Sequence, residues 1–284
     1  MKNLPYVVNL KGESEPFSFQ KVYRSVKRAG ASKKLAKKIA QKIEKEIYPG
    51  RKTSDIFREV KKLLQEEHPQ TALKFNLKEA MRKLGPTGFP FEKFVREILL
   101  SQGFEVKINQ YISGFCKVFY EIDFLAKKDK TIYIGECKYH HLAGEKVDLG
   151  VILENWARFL DIKENSYFRK LQSNNFQIKP ILVTNTKFTT QAIRYSKCKG
   201  IKLLGWRYPK NQGLEYLIEK EKLYPITILP SLKGHLKDIF AKSKIMLAGD
   251  LLKIPSGLLA RKLKVPQNIL SPLIKQAEIL LKEK

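Results

Sequence analysis

From Tyr6 to Leu10 the chain is apolar and extended in pattern, Lys11-Gly12 marks a turn, and a second extended piece ends at Phe17, so a β-hairpin opens the sequence. Helical spacing follows. Val22, Val26 and Ala29 recur on one face behind the N-cap residue Ser18, with Gly30 placed to end the helix. A second helix is predicted over Leu35–Ile47, with Ile39, Ala40 and Ile43 on one face and lysines on the other, before Tyr48-Pro49-Gly50 breaks the chain. Thr53-Ser54 can cap a third helix running through Leu64, and Thr71–Leu84 reads as a fourth. The pattern is that of a small helical bundle with a hairpin in front.

Leu84-Gly85-Pro86-Thr87-Gly88-Phe89-Pro90 concentrates helix breakers and is the predicted domain boundary; beyond it the hydrophobic period changes. A helix over 91–102 buries Phe91, Phe94, Val95, Ile98 and Leu99, and strands fit 105–108, 117–126 and 131–138. Then come a helix over 147–160, a strand over 178–183, a helix over 189–197 and a strand over 201–206, an alternation that argues for an α/β sheet domain with helices on its faces. From about Ile226, short helices separated by Gly and Pro suggest a third, small helical module. The expected division is residues 1–87, 88–225 and 226–284.

Composition adds a partner class. In 284 residues, 55 Lys and Arg face 28 Asp and Glu, a net charge of +27, which calls for a polyanion, either nucleic acid or an anionic membrane surface. No apolar run is long enough to span a bilayer and the start lacks a secretory apolar stretch, so no membrane association is expected and the chain reads as cytoplasmic. Cys116, Cys137 and Cys198 form no C-x-x-C pair and are an odd number, so free thiols are expected. His140 and His141, as strand neighbours, would point to opposite faces, and no zinc site is expected.

The residues that can carry chemistry lie on two consecutive predicted strands. Glu136 and Lys138, two apart on the second, share a face, and pairing across the hairpin would bring Asp123 beside them. Two carboxylates suit a hard divalent cation such as Mg²⁺, which polarises a phosphodiester and lowers the pKa of bound water, while a lysine orients that water or neutralises developing charge. The acidic-x-Lys triplet also occurs at Glu59, Glu105 and Asp161, but only Glu136 has both strand context and an upstream acid. Glu121 is a spare carboxylate that alternation is expected to direct away from Asp123's neighbours unless a bulge intervenes. Single aromatics such as Tyr111, Phe115, Phe119 and Phe168 are expected in the core. The lysine face at Lys33, Lys34, Lys37 and Lys38 is read equally as a solvated surface or as a phosphate-tracking one.

Residues 87–99, Thr-Gly-Phe-Pro-Phe-Glu-Lys-Phe-Val-Arg-Glu-Ile-Leu, with Gln102-Gly103-Phe104, resemble the first helix of the restriction-endonuclease-like superfamily as its Mrr-type and Holliday-junction-resolvase branches carry it, with a glutamate at the position of Glu92. Asp123 and Glu136-x-Lys138 match the PD-(D/E)XK motif, with Ile122 where proline often precedes the first acid. Ile181-Leu182-Val183-Thr184-Asn185, Phe188-Thr189, Ala192 and Gly200-Ile201-Lys202-Leu203-Leu204 resemble the Mrr-type strand, helix and strand. The resemblance spans roughly residues 88–208. It implies a restriction-endonuclease-like α/β/α domain with a mixed sheet that cleaves DNA with Mg²⁺ or Mn²⁺. Glu92, Asp123 and Glu136 would be metal ligands, and Asp123, Glu136 and Lys138 the catalytic set.

Val8 to Lys21, with Gly12, Glu15, Phe17 and Ser18, followed by Thr53-Ser54-Asp55-Ile56, resembles the ATP-cone domain, a nucleotide-binding regulatory module known from ribonucleotide reductases. That implies ATP or dATP as an effector, with Glu15, Lys21 and Thr53 at contact positions. Asn9-Leu10 stand where the family has a basic pair, and Lys11 is the candidate substitute. No Walker-type loop occurs, so ATP hydrolysis is not expected. The C-terminal segment, through Leu229-Pro230, residues 248–252 and Ala260 to Ala277, resembles helix-hairpin-helix DNA-binding domains, although Ser231-Leu232-Lys233 replaces the hairpin glycine.

The sequence therefore reads as a multidomain α/β protein: an ATP-cone-like helical bundle with a β-hairpin, a restriction-endonuclease-like nuclease domain and a basic helical module. The expected function is a metal-dependent DNA endonuclease, regulated by nucleotide. The alternatives are a non-catalytic nucleotide-sensing DNA-binding protein and a structure-selective junction resolvase, the latter needing a homodimer to cut two strands.

Overall fold

Local capping chemistry sets the first elements of the computed structural model, which describes residues 5–85 and 90–282. Part of the proposed boundary, and the whole Thr87-Gly88-Phe89 start of the nuclease-like motif, lie outside the described residues. β1 (Tyr6–Val8) pairs antiparallel with β2 (Ser14–Pro16). Asn9 closes the turn between them, its Oδ1 accepting the Lys11 and Glu13 N–H groups at 2.8 and 3.1 Å. α1 (Phe19–Arg28) and α2 (Lys33–Lys45) start where Ser18 and Ser32 accept the N–H three residues on. β3 (Arg51–Lys52) pairs parallel with β1, and α3 (Thr53–Glu67) follows it. The helix expected over 71–84 is instead two, α4 (Pro69–Phe75) and α5 (Leu77–Arg82), interrupted at the cap residue Asn76. Val26, Ile39, Ile43, Val60 and Leu64 form the core here, with Val7 and Phe17 from the hairpin.

The central unit runs from Arg82 to Tyr224. After α6 (Phe91–Ser101) come β4 (Glu105–Ser113), β5 (Phe119–Lys128) and β6 (Thr131–Lys138). β7 (Lys146–Val147), α7 (Leu149–Lys163), α8 (Ser166–Ser173), β8 (Gln177–Thr184) and β9 (Lys187–Phe188) follow. α9 (Thr190–Lys199), β10 (Lys202–Leu204) and α10 (Leu214–Lys220) complete it. The five-stranded sheet has the order β10-β8-β6-β5-β4 and is mixed: β4, β5 and β6 are antiparallel neighbours, while β6, β8 and β10 are parallel. β7 and β9 form a separate parallel pair. Phe159, Ile162 and Phe168, from α7 and α8, pack on Ile132, Ile134 and Ile178 of the sheet.

Beyond Tyr224 the chain makes a 3-10 turn at Ile226–Ile228, α11 (Leu236–Lys242), a second 3-10 turn at Ala248–Leu252, α12 (Ser256–Leu263) and α13 (Gln267–Leu281). These residues, which the sequence pattern sets apart as a module, share one compact unit with the described residues up to Met81. The linkage is specific: Thr227 donates to the Ala80 carbonyl at 2.8 Å, and the Gln70 amide donates to the carbonyls of Leu280 and Lys282 at 3.2 and 2.7 Å. The chain is thus mixed α/β, and no helix among the described residues is long and apolar enough to cross a membrane.

Candidate active site

The site begins where a ladder stops. β5 and β6 pair from Lys128 opposite Thr131 up to Phe124 opposite Gly135, whereas β6 continues along β8 as far as Lys138 opposite Thr184. Asp123 and Glu136 are the next residues on each strand, at the mouth of the splay. The Cys137 N–H finds no β5 carbonyl there and donates to Asp123 Oδ2 at 2.6 Å. Gly135 permits the close approach just before it, since a Cβ there would stand 2.2 Å from the Phe124 ring.

Side-chain alternation also breaks at Asp123. Ile122 and Leu125 both pack with Ile132, Ile134 and Phe159, which a strict period of two forbids. On the neighbouring strand the paired register skips Asn109, opposite Asp123, and Asn109 takes a left-handed φ of 53°. This irregularity is the kind of kink that re-aims side chains beside a functional site. Glu121 does not turn away as expected: two residues apart on a strand share a face, so it lines the same cleft as Asp123, and its charge adds to burial in raising the Asp123 carboxyl.

Helix α7 supplies the opposite wall. Arg158 donates from Nη1 to Glu136 Oε2 at 2.8 Å and from Nη2 to Glu154 Oε1 at 3.0 Å. The cleft holds about 630 Å³ and is lined by Phe119, Glu121, Asp123, Glu136, Glu154 and Arg158, among others. Asp123 Oδ1 and Glu136 Oε1 have no hydrogen-bond partner among the described residues. Burial raises the Asp123 carboxyl above its ordinary value, opposed by the Cys137 N–H and by the charges of Arg158 and Lys138. Burial, then the neighbouring Asp123 charge, push Glu136 up to about 7 against the pull of Arg158 and Lys138.

Lys138 is half-buried on β6, two residues past Glu136, and its ammonium acts on both carboxylates, although it does not line the cleft itself. Glu92 lies in the first turn of α6, and its charge joins those of Asp123 and Glu136 in raising the Cys137 thiol, whose shift is due first to burial. Asp123, Glu136 and Lys138 thus act on one another at one strand end, whereas Glu92 acts on the Cys137 thiol and does not line the cleft. Among the described residues, however, no group of three or more acidic, His or Cys side chains is arranged to hold a metal ion, so Glu92, Asp123 and Glu136 do not form a closed ligand set. Arg158 holds Glu136, and the Cys137 N–H holds Asp123. Arg158 is the functional residue that sequence reasoning missed; its only signal is the helical i,i+4 spacing of Glu154 and Arg158 behind the β6 motif.

A separate pocket of about 170 Å³ lies in the unit that contains the N-terminal hairpin. Glu15, Lys21 and Thr53 line it, with apolar walls from Phe17, Ile56 and Phe57. Lys21 Nζ and Glu15 Oε2 form an ion pair at 2.8 Å. Lys11, on the hairpin turn, is not among the lining residues, and Leu10 is exposed. The expected nucleotide contacts therefore divide into three that share a pocket and one that does not.

Comparison with known proteins finds relatives without an established activity. A family model described as AF1548-like, C-terminal, matches residues 224–281. An uncharacterized protein of Archaeoglobus fulgidus is 40% identical over 132 residues, 46% of this chain and 69% of that one. A crystal structure described as a protein of unknown function, AF1548, is similar with a TM-score of 0.54 and 31% identity, covering 66% of this chain and 96% of the other.

Proposed function

The chain belongs to the AF1548-like family, and we propose that this member is a metal-dependent DNA endonuclease of the PD-(D/E)XK type. The observation that carries the reading is the meeting of Asp123 and Glu136 at the splay of β5 and β6, with Lys138 next on the Glu136 face. The order helix, three antiparallel strands, helix, strand, helix, strand supports a restriction-endonuclease-like α/β/α arrangement for the central unit. A site that only gripped DNA would gain nothing from carboxylates concentrated against a polyanion.

The residues fit a divalent cation in their chemistry. Two carboxylates raised by burial, one of them also raised by the charge of the other, each with an oxygen unpaired, are the donor set a hard cation relieves. Asp123 and Glu136 would hold Mg²⁺ or Mn²⁺, with Glu92 as a further ligand. When bound, the cation supplies Lewis acidity at a phosphodiester and a more acidic water. Lys138 would orient the attacking water or neutralise charge on the phosphate, and Arg158, which already donates to Glu136 and Glu154, would add positive charge beside it.

The same reading makes the first unit regulatory. Glu15, Lys21 and Thr53 around one pocket support ATP or dATP as its effector. The test is a cleavage assay on supercoiled, linear, methylated and branched DNA in Mg²⁺, Mn²⁺ or EDTA, with and without ATP or dATP. Metal-dependent cutting is expected, and a change in rate with nucleotide would identify the pocket as a control site. DNA binding without cutting on any form would replace the reading with a binding-only protein.

A further inference from the structure

Aromatic rings that fill cores are hidden, and Phe168 is. Tyr111, Phe115 and Phe119 are not: they are 72%, 59% and 76% exposed, against the expectation that strand aromatics are core. Of the chain's 16 phenylalanines, Phe115 and Phe119 are the only exposed ones among the described residues. All three rings lie on or between β4 and β5. Phe119 also lines the cleft that contains Asp123 and Glu136. Tyr111 stands opposite Glu121, and Phe119 opposite Ser113, so the two residues are diagonal neighbours on one face of the ladder, at positions that in a regular ladder lie about 7–8 Å apart.

The hairpin that presents them is pinned. The Cys116 and Phe115 N–H groups donate to Asp161 Oδ1 and to the Asp161 carbonyl at 2.8 and 3.0 Å. Asn165 donates to the Ser113 carbonyl at 2.6 Å, and the Arg169 guanidinium lies over the Phe115 ring at 5.4 Å. Rings held in water on a rigid element contribute nothing to a core, but they offer a partner flat apolar faces with little ordering cost. A second copy of the chain is a poor occupant, because Glu121 sits in the middle of the patch and interface cores are depleted in charge. A phosphate backbone is repelled by the same carboxylate. Bases satisfy both conditions: they stack on rings, and the amino groups of cytosine and adenine donate to a carboxylate.

Resting on the endonuclease reading, we propose that the β4–β5 hairpin is a stacking platform on which Tyr111 and Phe119 hold unpaired bases beside the cleft, so that the substrate is DNA with a single-stranded or splayed segment rather than continuous duplex. In a duplex the bases are stacked on one another and their faces are closed to the rings. A single-stranded arm leaves them open.

The test uses the full chain in EDTA, where no cutting occurs, with three DNA probes carrying 2-aminopurine: a single strand, a splayed-arm duplex and a continuous duplex. Stacking on a ring quenches the probe. Wild type is expected to quench the first two, and Tyr111→Ala and Phe119→Ala each to weaken their binding roughly tenfold. Duplex affinity and its salt dependence should stay the same. Phe119→Trp keeps a ring and should keep the quench, which separates lost stacking from lost folding. Equal weakening on all three probes, no change on any, or an effect confined to a monomer–dimer equilibrium would each overturn the platform. A quench that persists while wild type cuts no DNA in Mg²⁺ would refute the endonuclease reading and leave the platform standing.

Discussion

Glu136 is the side chain on which the electrostatics of the site converge, because burial and Asp123 push its carboxyl up to about 7 from the ordinary 4.5 while Arg158 and Lys138 pull it down. A folded-state pKa above the unfolded value means that the folded chain holds the proton longer. Stability is therefore lost as pH rises from about 4.5 to about 7 in the absence of metal. Glu136→Gln, which cannot ionise, should escape that loss. The metal-free variant is expected to melt above wild type at pH 8, by on the order of 1–3 kcal/mol, and to show no such advantage below pH 4.5. Melting curves that keep the same gap at both pH values would remove this account of the site. Arg158→Gln is expected to act in the opposite direction, lowering metal-free stability by about 1–3 kcal/mol because two neighbouring carboxylates lose their cation, with added Mg²⁺ restoring most of the loss. Asp123, Glu136 and Lys138 were legible in the sequence because strand period and a hairpin between two short motifs bring them together. Arg158 was not, because a helix one crossover away reaches the same point only in three dimensions.

At the scale of elements, the helices with a capping side chain, α1, α7 and α9, were legible, as were α6, from its apolar face, and the strands with clear alternation. Failures fall where a tertiary contact overrides the local pattern. The segment over 71–84 has a continuous helical pattern but breaks at Asn76, which is buried and caps α4. β4 extends to Ser113 because β5 pairs with it on both sides of Asn109, including polar residues that carry no strand signal of their own. Tyr111, Phe119 and Glu121 are exposed on the open face of the β4–β5 ladder, where no helix among the described residues covers them as the reading of strand aromatics as core requires. The splay itself depends on Gly135, where any side chain collides with Phe124. Gly135→Ala is expected to cost about 1–3 kcal/mol in a denaturant titration. A cost near zero would mean that Phe124 moves aside and that the ladder end is not fixed by this contact.

For the molecule as a whole, composition pointed to a polyanionic partner and pattern to α/β architecture, but the partition of the chain was only half visible. A segment of short helices after Ile226 looks independent in sequence, yet Thr227 and the end of α13 bond to residues more than a hundred positions earlier. Such contacts leave no periodic trace. The central claim is that the β5–β6 splay is a metal-dependent nuclease site, and one comparison tests it most directly. Wild type, Asp123→Ala and Lys138→Ala are incubated with Mg²⁺ on the DNA form that wild type cuts best, with DNA binding measured in EDTA alongside. Wild type is expected to cut, both variants to lose roughly a hundredfold or more, as for groups acting in the transition state, and binding to be preserved in all three proteins. Variants that cut as fast as wild type would contradict that claim.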